Sequence, residues 1–298
     1  MRKEAFIKNG YVIVSNVLIP AEVSELRKII SDQIANIQES GKKSRWPTTK
    51  AVFQIPEIYR VATSEKVVSA LKEIFGEQYI MMADLHVHKN MCGNWHTDSD
   101  SEVPNFYLLD PSYAFAKCGI FLQDNTVEWG GGIDVVPKHH KFPIKLFGAR
   151  LAHKIKSFYN RSVGTRFFKK RIETKAGDLI IFDCRLPHKS TFPQALYDFR
   201  LKLEGNILRN VPPEKDKFSI YWDVCSKRSE AYNFLTNNIK RAKLEAMGLA
   251  NSYFDEKVHT ESTSLHFPES FQPEFVDRVN SLGIIMGCAN IISLDQSV

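Results

Sequence analysis

The sequence predicts a mainly β chain with flanking helices, built on a jelly roll of the double-stranded β-helix, cupin-like type. Three observations carry this. Between residues 79 and 225 about eight short stretches of alternating or β-branched residues are separated by glycine and proline turns, as in an antiparallel jelly roll. Toward both ends the apolar period lengthens from two to between three and four, the sign of helices laid against a sheet. The histidines and aspartates best able to bind something stand on different strands, so the strands must fold over one another to gather them. One domain over 1–298 is expected. It has helical support over 1–78, a jelly-roll core over 79–225 with a basic insertion at 138–171, and a helical segment over 226–298.

Taken in order, Glu4 to Asn9 reads as a short helix stopped by Gly10, and Tyr11-Val12-Ile13-Val14 as a strand. Pro20 opens a longer helix, in which Val23, Leu26, Ile29, Ile30, Ile34 and Ile37 form one buried stripe. The polar stretch from Glu39 to Thr49 reads as a loop. Ser64 is placed to cap a helix that ends at Phe75, with Gly76 to stop it. Residues 79–89 read as one strand, because Asp84, His86 and His88 alternate with Leu85 and Val87. Strands are expected at 117–123 and 133–136, joined by a loop with Trp129 and the glycines Gly130 to Gly132. No helix and no Lys-Ser/Thr pair follows those glycines, so they make a tight turn rather than a phosphate cradle. Beyond the basic insertion, which has helical character at 144–150, come a short strand at 171–174, a turn at Ala176-Gly177-Asp178 and the apolar strand from Leu179 to Asp183. Two more strands are expected at 199–208 and 218–224. Past Ser226, the residues Ala231, Leu235, Ile239 and Ala242 fall on one stripe, giving a helix over 227–247 and a shorter one over 273–282.

The chemistry gathers at Asn94-Trp95-His96-Thr97-Asp98, which sets an imidazole and a carboxylate two residues apart, on one face if the segment is extended. A third ligand from a distant strand would complete the two-histidine, one-carboxylate triad that leaves iron positions open. His188 is the candidate. It sits in Asp183-Cys184-Arg185-Leu186-Pro187-His188-Lys189-Ser190-Thr191, just after the apolar run Leu179-Ile180-Ile181-Phe182 and 90 residues past Asp98. Taken singly, each of these residues could be a surface histidine or a capping aspartate. Their order along the chain argues for a site. His86 and His88 share one strand face and are read as pocket lining; with Trp95, Lys117 and Trp129 they are the candidates for contact with substrate or with the metal ligands.

At these residues the sequence resembles the phytanoyl-CoA dioxygenase-like iron(II)/2-oxoglutarate oxygenases. The resemblance runs through FIKNGYVIVSNVLIPAEVSELRKII, NWHTDSD, GIFLQDNTVEWGGGIDVVPKHH, KAGDLIIFDCRLPHKST and DFRLKLEGNIL, most of the chain. It implies that His96, Asp98 and His188 bind iron(II), and that Arg200 and Ser190 hold the far carboxylate of 2-oxoglutarate. One departure is visible, since the usual P-G-S-H turn reads Pro137-Lys138-His139-His140 here. The implied reaction uses dioxygen, couples oxidative decarboxylation of 2-oxoglutarate to hydroxylation of an aliphatic C–H, and releases succinate and carbon dioxide. Halogenases of this class leave the carboxylate position empty for halide, so Asp98 implies hydroxylation over chlorination. Desaturation and ring closure stay open, because they depend on how the substrate is placed. A buried guanidinium at Arg200 would be costly without an anion, which is a physical reason for a dicarboxylate beside it. An internal salt bridge is the competing reading.

Composition bounds the rest. The chain is 43% hydrophobic and 25% charged, with no apolar run of bilayer length, as in ordinary globular proteins. Five cysteines, Cys92, Cys118, Cys184, Cys225 and Cys288, contain no C-x-x-C pair and argue against a disulfide framework or a zinc cluster. A cytoplasmic protein is expected, since residues 1–6 lead into an amphipathic start rather than a secretory leader. The net charge of +6 is concentrated: Lys138 to Lys175 holds twelve Lys or Arg against one acid, Glu173. Such a run is either a solvated basic face or a collar that attracts an anion. The expected substrate is a small polar, anionic or zwitterionic metabolite in a tailoring step of natural product biosynthesis, with an acyl-CoA ester as the alternative. Aromatic and basic residues interleave at Arg166-Phe167-Phe168-Lys169-Lys170, yet no nucleic-acid motif accompanies them. A cupin-like metal protein that does not use 2-oxoglutarate and a non-catalytic jelly-roll binder are the two other readings left open.

Overall fold

The computed structural model describes residues 1–39, 47, 49–98, 114–140, 165–236 and 271–287. They fall into two compact units, one of Met1–Ser24, His88–Tyr113 and Gly119–Ser219, the other of Glu25–Val87, Ala114–Cys118 and Ile220–Val298. The class is as expected: mainly β with flanking helices, of the jelly-roll type.

In the first unit α1 (Arg2–Asn9) ends at Gly10, whose φ of 82° and N–H bond to the Phe6 carbonyl at 2.8 Å are the left-handed helix stop. The chain turns straight into β1 (Tyr11–Val14), antiparallel to β7 (Leu179–Asp183), with Tyr11 opposite Phe182 and Val14 opposite Leu179. All five residues of β7 are buried because it lies between β1 and β4 (Phe115–Phe121). This explains the unbroken apolar run that announced it. A small sheet follows the order β6-β5-β8, from β5 (Ile133–Val135), β6 (Lys170–Arg171) and β8 (His188–Ser190). Its register sets Val135 opposite His188 and Ile133 opposite Ser190. The turn before β5 depends on glycine: Gly130 has φ 68°, and a Cβ there would overlap the Thr191 carbonyl oxygen.

In the second unit the stripe of α2 (Pro20–Glu39) is buried at Leu26, Ile30 and Ile34. Helices α3 (Thr49–Phe53), α4 (Pro56–Ala62) and α5 (Glu65–Phe75) precede β2 (Ile80–Met82). An aromatic knot of Phe53, Tyr59, Phe271 and Phe275, with centroids 5.0–5.5 Å apart, ties α3 and α4 to α8 (Pro273–Ser281). Arg278 fixes the same contact by donating to the Thr63 hydroxyl at 2.6 Å and carbonyl at 2.7 Å. Strand β11 (Phe218–Cys225), which begins in the first unit, runs antiparallel to β2, and β12 (Ile285–Gly287) lies parallel on the far side of β2.

Several expectations are revised. The strand expected over 79–89 is interrupted, giving β2 and then β3 (His86–Lys89), with both pieces paired to β11. The strand expected over 199–208 does not form. Instead α6 (Gln194–Tyr197) is followed by a hairpin of β9 (Lys202–Glu204) and β10 (Ile207–Arg209). The cause is Gly205-Asn206, with Gly205 at φ 59° in the first central position of a two-residue hairpin turn. After β11 the chain is helical over 228–236 (α7), where Ala231 and Leu235 are buried. The rest of the helix expected to 247, most of the loop at 39–49 and the heart of the basic insertion, 141–164, lie outside the described residues. Among the described residues no helix is long and apolar enough to cross a membrane. Cys92, Cys118, Cys184 and Cys225 are buried and form no disulfide among the described residues.

Candidate active site

The site is assembled on β8 and the segment 93–96, which lies antiparallel beside it. His96 and His188 exchange both backbone hydrogen bonds, each N–H donating to the other's carbonyl at 2.9 Å. Two residues along, the Ser190 N–H donates to the Gly93 carbonyl at 3.0 Å, and the Gly93 N–H donates to Ser190 Oγ at 2.9 Å. Directly opposed residues of an antiparallel pair project to the same side. Two histidines far apart in sequence are therefore held together, with ring centroids 4.2 Å apart.

Each imidazole is oriented from behind. His96 Nδ1 lies 2.7 Å from the Asn94 carbonyl and His188 Nδ1 3.0 Å from the Leu186 carbonyl. A carbonyl can only accept, so both Nδ1 atoms carry the proton and both Nε2 atoms present a lone pair. Asp98 Oδ1 stands 3.8 Å from His96 Nε2 and 4.0 Å from His188 Nε2, and the three donor atoms lie within 4.8 Å of one another. A metal bonded to each donor at roughly 2.1 Å fits among atoms up to about 4.2 Å apart, so the set needs little closing. Two imidazoles and one carboxylate, with no fourth protein ligand among the described residues, suit an open iron(II) centre better than a closed zinc site. His188 is 7% exposed and packs on Phe182, whereas His96 is 46% exposed. The site thus has a dry wall and an open side.

The turn that presents the Leu186 carbonyl is itself clamped. Arg185 donates through Nε and Nη2 to Asp183 at 2.8 and 2.6 Å, and both side chains are buried. The Leu186 N–H donates to the Asp183 carbonyl at 2.8 Å. This D-x-R clamp, just ahead of the histidine, shows in the sequence as a carboxylate and a guanidinium two apart, a signal that the sequence reading passes over.

A sequence model of the family described as phytanoyl-CoA dioxygenase (PhyH) matches residues 6–192. The chain belongs to the phytanoyl-CoA dioxygenase family. It is an iron(II)- and 2-oxoglutarate-dependent oxygenase, with iron(II), 2-oxoglutarate and dioxygen as its cofactors. No curated protein matches it in sequence. Three similar solved structures share its fold. The non-heme monooxygenase ThoJ, as its nickel complex, is 13% identical with a TM-score of 0.51, over 76% of this chain and 77% of that one. HygX from Streptomyces hygroscopicus, with nickel and 2-oxoglutarate bound, is 13% identical with a TM-score of 0.50, over 74% and 85%. AviO1 from Streptomyces viridochromogenes is 16% identical with a TM-score of 0.50, over 75% and 93%.

The phytanoyl-CoA dioxygenase match ends at residue 192, short of Arg200, and there the expected placement fails. Arg200 is neither on a strand nor buried. It follows α6 at the surface, donates to Asp198 and Glu128 at 2.8 Å each, and lies over the Trp129 ring at 5.1 Å. Those two carboxylates raise its pKa still further, so the internal salt bridge is the reading the geometry favours. Trp129, expected to touch substrate or ligands, instead packs on Cys92, Ala195, Leu201 and Leu208 and carries Arg200 and Lys215 on its ring. Trp95 is half-buried beneath the Lys189 ammonium at 5.6 Å. His88 is half-buried in the first unit. His86 and Lys117 belong to the second unit, where His86 contacts Asp84, and Lys117 Nζ lies 3.7 Å from Asp223. Burial alone would raise the Asp84 carboxyl, but His86, Lys117 and a hydrogen bond shared with Asp223 hold it below the usual carboxylate range.

One cation of the first unit was missed. Lys217, at the head of β11, is 7% exposed, and burial lowers its pKa to about 8, with Cys92 opposing the shift. The signal was present. Phe218, Ile220, Trp222 and Val224 alternate as the apolar face of β11, which puts residue 217 on the other, polar face with Ser219, Tyr221 and Asp223.

Proposed function

We propose that this oxygenase hydroxylates an aliphatic C–H of a small polar or anionic metabolite, as a biosynthetic tailoring step, with iron held by His96, Asp98 and His188 and with release of succinate and carbon dioxide. The complete triad carries the reading: two Nε2 lone pairs and a carboxylate converge, and the carboxylate position is filled by Asp98. Iron(II), when bound, supplies the activation of dioxygen that no side chain can provide. The chain's own groups do the rest. The Asn94 and Leu186 carbonyls fix both imidazoles in the tautomer a metal requires. Ser190 Oγ accepts from Gly93 and so keeps its own O–H to donate to a carboxylate on the face of β8 that carries His188. Phe182, Leu186 and Val135, all buried, exclude water behind His188. HygX, with nickel and 2-oxoglutarate bound in the same fold, supports a metal-chelated oxo acid here. The twelve cations between Lys138 and Lys175 support an anionic substrate.

The test is succinate release, with product mass, across a panel of phosphorylated, carboxylated and zwitterionic small molecules alongside acyl-CoA esters. Stimulation by a small polar compound whose product gains one oxygen atom supports the reading. A product that loses two hydrogens, or stimulation by acyl-CoA esters alone, contradicts it.

A further inference from the structure

Lys217 is a buried ammonium with no neutralising group among the described residues. Among the described residues no carboxylate pairs with it and no hydrogen bond from its Nζ is found. The adjacent carboxylate, Asp216, is already engaged by Lys89 at 2.7 Å and by the Asn90 amide at 2.7 Å. The backbone of Lys217 is pinned as well: its N–H donates to Asn90 Oδ1 and its carbonyl accepts from the Asn90 N–H, both at 2.8 Å. The side chain thus leaves a fixed point in the first unit. A buried, unpaired cation held so firmly is costly unless an anion joins it.

Its surroundings indicate which anion. Lys217 Nζ lies 3.5 Å from where a Cβ on Gly130 would stand, against the Thr191 carbonyl. Cys92, whose thiol burial pushes up to about 11, also lies near enough to act on it electrostatically. Thr191 follows Ser190 in sequence, and Cys92 precedes Gly93, the residue that donates to Ser190 Oγ. Two neighbours of Lys217, Thr191 and Cys92, are thus each one position from Ser190 or from its partner Gly93, and Ser190 is two positions from His188.

We propose that Lys217, and not Arg200, is the cation that receives the distal carboxylate of 2-oxoglutarate, with the Ser190 hydroxyl as its neighbour. This rests on reading His96, Asp98 and His188 as the iron ligands. A lysine in this role makes cosubstrate capture proton-linked, whereas an arginine would stay charged throughout. Among the described residues the nearby charged groups include Lys89, paired with Asp216, and Lys189, paired with Asp134, which Arg171 also approaches at 3.8 Å.

The experiment is anaerobic titration of the iron(II)-loaded protein with 2-oxoglutarate and with 2-oxobutyrate, which has the same chelating head but no distal carboxylate. Binding is followed by calorimetry in the wild type, Lys217→Met, Lys217→Arg and Arg200→Ala. Lys217→Met is expected to weaken 2-oxoglutarate about thirty-fold while leaving 2-oxobutyrate within about two-fold, and Arg200→Ala to change neither. In the wild type the 2-oxoglutarate Kd should rise toward about tenfold per pH unit above pH 8, and Lys217→Arg should flatten that slope by comparison. The assignment is overturned if Lys217→Met binds both oxo acids as the wild type does, or if Arg200→Ala carries the selective loss. If the wild type binds neither oxo acid, the reading of the metal site falls, and the assignment with it.

Discussion

The Leu186 carbonyl decides which nitrogen of His188 faces the site, and the Asp183–Arg185 clamp decides where that carbonyl points. Replacing Asp183 with asparagine removes the carboxylate charge from its buried ion pair with Arg185, at a cost of about 3–5 kcal/mol in denaturant unfolding. Lys217 works in the opposite direction. The unfolded chain keeps this proton up to the ordinary lysine value of 10.5, while the folded chain releases it near 8. The cost is therefore complete below pH 8, and stability recovers as pH rises from 8 to 10.5. Lys217→Met is expected to stabilise the metal-free protein by about 3 kcal/mol near neutral pH and to remove that recovery, as read from unfolding curves at two pH values. Stability unchanged at both would contradict the buried charge. The triad was legible because His96 and Asp98 stand two apart and His188 follows an apolar strand. Arg200 was placed on a strand because counting on from His188 took no account of α6 and the hairpin that interrupt the path to β11, and the alternation of β11 is the sequence signal for the buried Lys217.

Elements defined by a strong period or by clear end signals were readable: α2 by its stripe, α5 by its Ser64 cap and Gly76 stop, β7 by its apolar run, β11 by its alternation. Those set by a turn or by a distant partner were not. The β9–β10 hairpin turns on the backbone of one glycine, and β12 exists because β2 offers it a free edge. Glycine replacements separate the two sources of constraint. Gly205→Ala meets open space and only the cost of φ 59°, about 1 kcal/mol. Gly130→Ala adds a clash with the Thr191 backbone to its φ of 68° and should lose clearly more, upwards of about 2 kcal/mol, in thermal melts. In the second unit Phe275, fully buried in the aromatic knot, should cost about 3–5 kcal/mol when cut to alanine.

For the molecule as a whole, family membership and the jelly-roll class are legible in the sequence, because the ligand spacing and the strand and turn pattern extend through most of the chain. The substrate could not. Specificity depends on which side chains face the open side of the centre beside His96, and neither fold nor triad encodes that. The central claim is that His96, Asp98 and His188 hold an iron that 2-oxoglutarate chelates. It is tested most directly by anaerobic addition of iron(II) and then 2-oxoglutarate to the metal-free protein, watching for the visible charge-transfer band of the chelate. The expected result is a band that saturates with stoichiometric iron and is absent in His188→Ala. Folded wild-type protein that takes up iron yet shows no band would contradict the claim.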